Sequence, residues 1–187
     1  MTKPFVPPVL ARGQRLELQA GFAFVHVMDA TAIRQISQQD RDWVLAQHKA
    51  IYMDRHGFDD SFEALVAGIL DDFLMNHDPT CERGWIAEYK HRPLGSIFCT
   101  RIDDETAQLR LFFLVEEARG KGLGFQMVSK LICFAESVGY KRIRLWTHKS
   151  HAEACALYRA MGWTCINAEQ KVSFGRQETV ETYAYTL

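Results

Sequence analysis

Apolar residues follow two rhythms along this chain. Phe62, Leu65, Val66, Ile69, Leu70, Phe73 and Leu74 recur at the helical period, which puts them on one face of a helix. Asp60, with Glu63 three residues on, predicts its capped start, and Pro79 marks its exit. An earlier helix is predicted over 43–55, where Val44, His48, Ile51 and Tyr52 share a face. Period two then takes over. Residues 84–89 and 94–102 read as strands around the turn Lys90-His91-Arg92-Pro93. In 108–115, Leu109, Leu111, Phe113 and Val115 alternate with Gln108, Arg110, Phe112 and Leu114. That strand is apolar on both faces near its end, which predicts burial on both sides there.

The helical rhythm returns over 125–138, with Met127, Val128, Leu131, Phe134, Ala135 and Val138 on one face and Gly139 just beyond. A strand at 142–147, a helix at 152–161 burying Ala154, Leu157 and Met161, and closing strands at 163–174 and 178–187 complete the chain. Upstream, 33–37 reads as the first strand of the main sheet, and 14–28 as one or two short strands around Gly21. Pro4, Pro7 and Pro8 predict an extended arm. The order implies an α/β domain at 31–187, a mixed and mostly antiparallel central sheet with helices on both faces, behind an N-terminal extension of residues 1–30.

Composition narrows the function classes. With 187 residues and a formal net charge of -1, the chain lacks the basic excess of a nucleic-acid binder. No apolar run reaches the roughly 20 residues that span a bilayer, so no membrane partner is expected. Met1-Thr2-Lys3 leads into prolines rather than an apolar signal core. Five widely spaced cysteines without a C-x-x-C pair predict buried, reduced thiols and a cytoplasmic location.

The chemistry concentrates between the strand at 108–115 and the helix that follows. There the chain reads Arg119-Gly120-Lys121-Gly122-Leu123-Gly124. Glycines let backbone approach a ligand closely, and a helix N-terminus offers unpaired N–H groups and the positive end of a dipole. Arg119 and Lys121 add cationic side chains. A pyrophosphate is the natural guest. The dinucleotide pattern G-x-G-x-x-G fails, and so does the P-loop, which needs Gly-Lys-Ser/Thr at the helix start.

What fits is Arg-x-x-Gly-x-Gly. It closely resembles the acyl-CoA signature of the GNAT acetyltransferases. The strand before it, Leu111-Phe-Phe-Leu-Val115-Glu-Glu117, the later strand Ile143-Arg-Leu-Trp146, and Leu157-Tyr158-Arg-Ala-Met-Gly162-Trp163 resemble the same family in order and spacing. Trp43-Val44, His48, Tyr52, Phe62-Glu63, Trp85-Ile-Ala-Glu88 and Ser173-Phe-Gly175 resemble the acetyltransferase half of MarR–GNAT fusion proteins. Only about 30 residues precede the domain, so DNA binding is not carried over.

The resemblance implies a GNAT fold, acetyl-CoA as co-substrate without a metal, and acetyl transfer to the primary amine of a small molecule or peptide. Phe113, Leu114 and Val115 would present backbone to the pantetheine arm, with the Val115 amide at the acetyl oxygen. Arg119, Gly120, Lys121, Gly122, Leu123 and Gly124 would bind the pyrophosphate. Tyr158 would be the general acid for the leaving thiolate. His151 stands where the family often has an Asn that contacts the cofactor. For the base that takes the amine's proton, His48, Glu116 and Glu88 are the candidates, and no dedicated base is another reading. His148-x-x-His151-x-x-x-Cys155 has metal-like spacing but no fourth ligand. Acceptor walls are expected from the two early helices and the last strands. A homodimer through the exposed edges or the arm is expected, and a non-catalytic acyl-CoA sensor is the alternative function.

Overall fold

The computed structural model describes residues Thr31–Leu187; the arm and strands expected within the first 30 residues lie outside it. Strand β1 (Thr31–Gln35) leads through a 3₁₀ turn to helix α1 (Arg41–His48), which runs on as π-helical turns over Lys49–Arg55. Helix α2 (Asp60–Asn76) precedes strands β2 (Arg83–Tyr89), β3 (Arg92–Arg101) and β4 (Thr106–Leu114). Then come α3 (Leu123–Ser137), β5 (Arg142–His148), α4 (Ala152–Ala160), β6 (Thr164–Ser173) and β7 (Arg176–Thr186). The strands form one sheet in the order β1-β2-β3-β4-β5-β7-β6. Among these described strands only β4 and β5 pair in parallel. No helix among the described residues is long and apolar enough to cross a membrane.

Strand alternation divides the apolar residues between two cores, one on each face of the sheet. Trp85, Ile97, Cys99, Ile143, Leu145 and Tyr183 meet Met127, Leu131 and Ala135 of α3 and Cys155 and Tyr158 of α4. Their strand neighbours Ile86, Phe98 and Phe113 meet Val44 of α1 and Phe62, Val66, Leu70 and Phe73 of α2. A buried carboxylate holds the turn that leads into α1. Asp40 receives both terminal nitrogens of Arg34 at 2.8 and 2.6 Å, and the Arg34 Nε donates to Glu88 at 2.7 Å. Glu88 is thereby held in an ion pair across β1 and β2 (strands that pair antiparallel), so it is not available as the base.

Several local expectations need correction. The N-cap of α2 is Asp59, whose carboxylate accepts from the Ser61 amide at 3.0 Å; Asp60 is the first helical residue. Glu63 closes no capping box but pairs with Lys49 at 2.8 Å. The buried side of α4 is Cys155 and Tyr158, with Ala154, Leu157 and Met161 half-buried. All five cysteines are free, yet Cys133 and Cys165 are exposed. At the end of β4, Leu111, Phe112 and Leu114 are half-buried rather than enclosed, because β5 has by then left its side.

Candidate active site

The parting of β4 from β5 creates the site. Their pairing covers only Thr106–Gln108 against Arg142–Arg144, while β5 continues along β7 as far as His148. Opposite β3, the register of β4 slips: Ser96 faces Phe113 but Phe98 faces Arg110. Two residues, Leu111 and Phe112, therefore share one partner, and Leu111 takes a left-handed φ of 45°. This is a β-bulge, which bends its strand away from the flat sheet.

Into the gap opens a cleft of about 610 Å³. Phe113, Leu114, Arg119, Gly120, Gly122, Gly124 and His151 all line it. Gly122 is the N-cap of α3 at φ 75°; it brings no capping side chain, and no acidic residue sits in the first turn. The first N–H groups of α3 thus have neither an intrahelical acceptor nor a side-chain substitute. Gly120 also needs a positive φ, 68°. A Cβ on Gly124 would stand 3.2 Å from the Leu157 side chain and 3.5 Å from that of Leu114. Arg119 ties the turn to the strand: its Nε donates to the Leu114 carbonyl at 3.0 Å, and Nη1 lies 3.6 Å from Glu153. The arrangement matches an extended ligand with a diphosphate at the helix end.

Three expected contacts fall outside the cleft lining, namely Val115, Lys121 and Leu123. Leu123 is buried in the core under α3. The Val115 N–H donates to Leu94 O at 2.8 Å, so it belongs to the sheet and is not the expected oxyanion donor. Antiparallel alternation turns the preceding amide, Leu114, the other way, toward the side β5 has vacated.

Tyr52, Phe112 and His151 separate the cleft from a smaller cavity of about 100 Å³. This inner cavity reaches Tyr158, His48, Phe62 and Arg110. Tyr158 is 4% exposed, with its ring centroid 5.7 Å from Trp163 and 5.9 Å from Tyr183. Burial pushes its phenol far above the usual range, so it keeps its proton at neutral pH. Burial likewise pushes Tyr52 up to about 12. His48 is buried with Nδ1 2.9 Å from the Val44 carbonyl, and desolvation lowers it to about 4. His151 is lowered to about 3 by desolvation and by the neighbouring His148 and His56. Its Nδ1 lies 3.3 Å from Thr147 Oγ1, while its Nε2 is buried without a partner among the described residues. Such an orphaned polar atom is costly unless a ligand or water meets it.

Glu116 is exposed in a 3₁₀ turn and lines neither cavity. The metal-like string is dispersed: His148 Nε2 lies 3.1 Å from Ser173 Oγ, and the Cys155 thiol donates to the His148 carbonyl at 3.7 Å. No group of three potential ligands is arranged for an ion among the described residues. The inner walls come from α1, α2, β4, β5 and α4, so β5 takes the place expected of the last strands. Sequence reasoning assigned Tyr52 only to packing and Arg110 only to strand alternation. Their roles depend on helix α2 closing over β4, which no local pattern encodes.

A profile described as the "Acetyltransferase (GNAT) family" matches residues 41–163. Human N-acetyltransferase 8B is 31% identical over 84 residues, 42% of this chain and 37% of that one. An uncharacterized N-acetyltransferase of Methanocaldococcus jannaschii, MJ1207, is 24% identical over 153 residues, 77% of this chain and 65% of that one. The chain thus spans less than two thirds of either relative. Among solved structures, spermidine N-acetyltransferase from Vibrio cholerae in complex with CoA and spermine aligns with a TM-score of 0.66 at 16% identity, over 84% of this chain and 96% of that one. A putative acetyltransferase from Salmonella typhimurium with its cofactor acetyl-CoA aligns at 0.67 and 17%, over 83% and 93%. At such identities these structures speak for the fold. The profile match runs from α1 through the glycine-rich turn to Trp163, and the chain belongs to the GNAT acetyltransferase family.

Proposed function

We propose that this chain is an acetyl-CoA-dependent N-acetyltransferase that moves the acetyl group directly to the primary amine of a small molecule or peptide. One observation carries the reading: a cleft at a helix N-terminus without a side-chain cap shares the walls Tyr52, Phe112 and His151 with a cavity containing a buried, protonated tyrosine. The residues fit CoA. Gly120, Gly122 and the first turn of α3 would hold the pyrophosphate through N–H groups, Arg119 would brace the turn, and Phe113 and Leu114 would flank the pantetheine arm. His151 Nε2 supplies a hydrogen-bonding atom that lacks a partner among the described residues.

Acetyl-CoA supplies an activated acyl thioester. The Leu114 N–H would donate to the acyl oxygen as charge develops there. Tyr158 would hold a proton at its phenol and give it to the departing sulfur. Phe62, Phe112 and Trp146 give the inner cavity part of its apolar wall. His48, lowered to about 4, is too weak a base to store the amine's proton and serves instead as a hydrogen-bonding wall. The amine would enter as its neutral fraction, and the proton its nitrogen sheds as the amide forms would restore the phenol of Tyr158, so that no dedicated base is needed. No cysteine lines either cavity, in keeping with direct attack.

Thiol release from acetyl-CoA across amino acids, polyamines, aminoglycosides and short peptides tests this reading. Turnover with one class, strongly reduced in Tyr158→Phe, is expected. Tight CoA binding without turnover would point to an acyl-CoA sensor instead.

A further inference from the structure

Most arginines of this domain sit in ion pairs, among them Arg34, Arg41, Arg92, Arg101, Arg142 and Arg159. Arg110 does not. Half-buried on β4, it makes no hydrogen bond and no ion pair among the described residues. It lies just before the bulge and lines two spaces together: the inner cavity with Tyr158, and a groove of about 410 Å³ between α2 and the sheet. Leu65 and Ile69 of α2 line both spaces as well.

The charges around it are accounted for. Asp72 faces Arg110 across the groove, beyond ion-pair distance, and its carboxylate accepts from Asn76 at 2.9 Å. Glu82 accepts from the amides of Arg101 and Asp78 at 2.8 and 2.9 Å. Among the described residues that line the inner cavity there is no Asp, Glu or Lys. Its histidines His48, His148 and His151 are all shifted toward the neutral form, first by desolvation. One guanidinium is therefore the formal charge of the cavity among the described lining residues, and burial there weakens its hold on its proton more than Asp72, across the groove and beyond ion-pair distance, restores it. A partly desolvated, unpaired cation is costly in an isolated protein. It becomes favourable when a ligand brings the anion.

We propose that Arg110 anchors an anionic group of the acceptor, and that the acceptor is a compact amine bearing a carboxylate, of the amino-acid class. This rests on the acetyltransferase reading above. A single guanidinium fork matches one carboxylate in bidentate geometry, whereas a phosphate dianion calls for further donors. A polyamine fits poorly, because its remaining ammonium groups would enter a cavity that holds a cation and no carboxylate. The cavity of about 100 Å³ is also far below the size that takes an aminoglycoside.

The test is thiol release with matched acceptors: α-amino acids, their amides, the corresponding decarboxylated amines, and spermidine. Wild-type protein, Arg110→Gln and Arg110→Lys are run side by side, with CoA affinity and melting temperature measured for each. The wild type should prefer the acid over its amide and its decarboxylated amine by about 10- to 100-fold in kcat/KM, mostly through KM. Arg110→Gln should lose that preference while binding CoA as before, and Arg110→Lys should keep part of it. Equal use of acid and amide, a preference for spermidine, or an Arg110→Gln protein that keeps the preference would each overturn the proposal. Should Arg110→Gln fail to fold, the wild-type ratios decide alone. Turnover of amines without carboxylate preference refutes only the Arg110 assignment. No turnover with any amine, or no CoA binding, refutes the acetyltransferase reading and the proposal with it.

Discussion

At its α3 end the cleft offers a ligand mostly backbone: Gly120, Gly122, Gly124 and the first N–H groups of a helix that has no side-chain cap. At its α1–α2 end it offers side chains, with His48 from α1, Tyr52 from the π-helical turns, Phe62 from α2, Arg110 from β4 and Tyr158 from α4. Backbone cannot vary its chemistry, so the first end suits a constant ligand. Side chains can vary, so the second end is where one acceptor is told from another. The outer cleft is about 610 Å³ and the inner cavity about 100 Å³, which repeats the contrast in size. The bulge at Leu111 marks the boundary between the two ends.

The largest effect should come from Tyr158→Phe. Loss of a general acid is worth about 10²–10⁴-fold, so kcat should fall by that order while CoA binds unchanged in a calorimetric titration. A phenylalanine variant with near wild-type kcat would remove Tyr158 from the chemistry and leave it a packing residue.

The inner end should also dominate the acid response of the fold. His48 and His151 lie at about 4 and 3, below an unfolded value of about 6.5. The unfolded chain therefore takes up protons first as pH falls, so stability is full above about 7 and declines from 6.5 downward. The limiting slope is about 1.4 kcal/mol per pH unit for each histidine. Thermal melts between pH 7.5 and 5 should show this decline, and His48→Leu should flatten part of it. A melting temperature that is level over that range would contradict the desolvated state of both rings.

Gly122→Val addresses the outer end. A β-branched residue at φ 75° costs about 1–2 kcal/mol, and its side chain would crowd the cradle. CoA should bind about tenfold more weakly or worse, with acceptor preference retained by what activity remains. The smallest change is expected from Ile69→Trp, which narrows the inner cavity. Acceptor KM should rise severalfold with CoA affinity unaltered. If both parameters moved together in either variant, the division into two ends would be wrong.

The same division explains what the sequence made legible. The glycine-rich turn, the strand before it and the helix after it are contiguous, and residues 108–115 and 125–138 matched β4 and α3 to within two residues. Tyr158 was legible for the same reason, since it shares a short pattern with Gly162 and Trp163. The inner end was not. The π-helical turns at Lys49–Arg55 leave the period that read 43–55 as one helix. The bulge depends on how β4 registers against β3, and that register also commits the Val115 amide to Leu94. Arg110 looks like an ordinary polar position of an alternating strand until α2 covers it. Asp59 rather than Asp60 caps α2 because the chain enters at an extended ψ of 175°, a choice between adjacent aspartates that spacing cannot make.

The proposed backbone cradle for the pyrophosphate of CoA at the N-terminus of α3 is the feature from which the roles of the other residues follow. Calorimetric titration of the purified protein with CoA, and separately with pantetheine, which lacks the pyrophosphate and the 3′-phosphoadenosine beyond it, measures the contribution of that end of the ligand without any acceptor. Saturable one-to-one binding of CoA is expected, with pantetheine weaker by roughly 100-fold, as the loss of charge-assisted hydrogen bonds requires. No binding of CoA, or equal binding of the two, would contradict it.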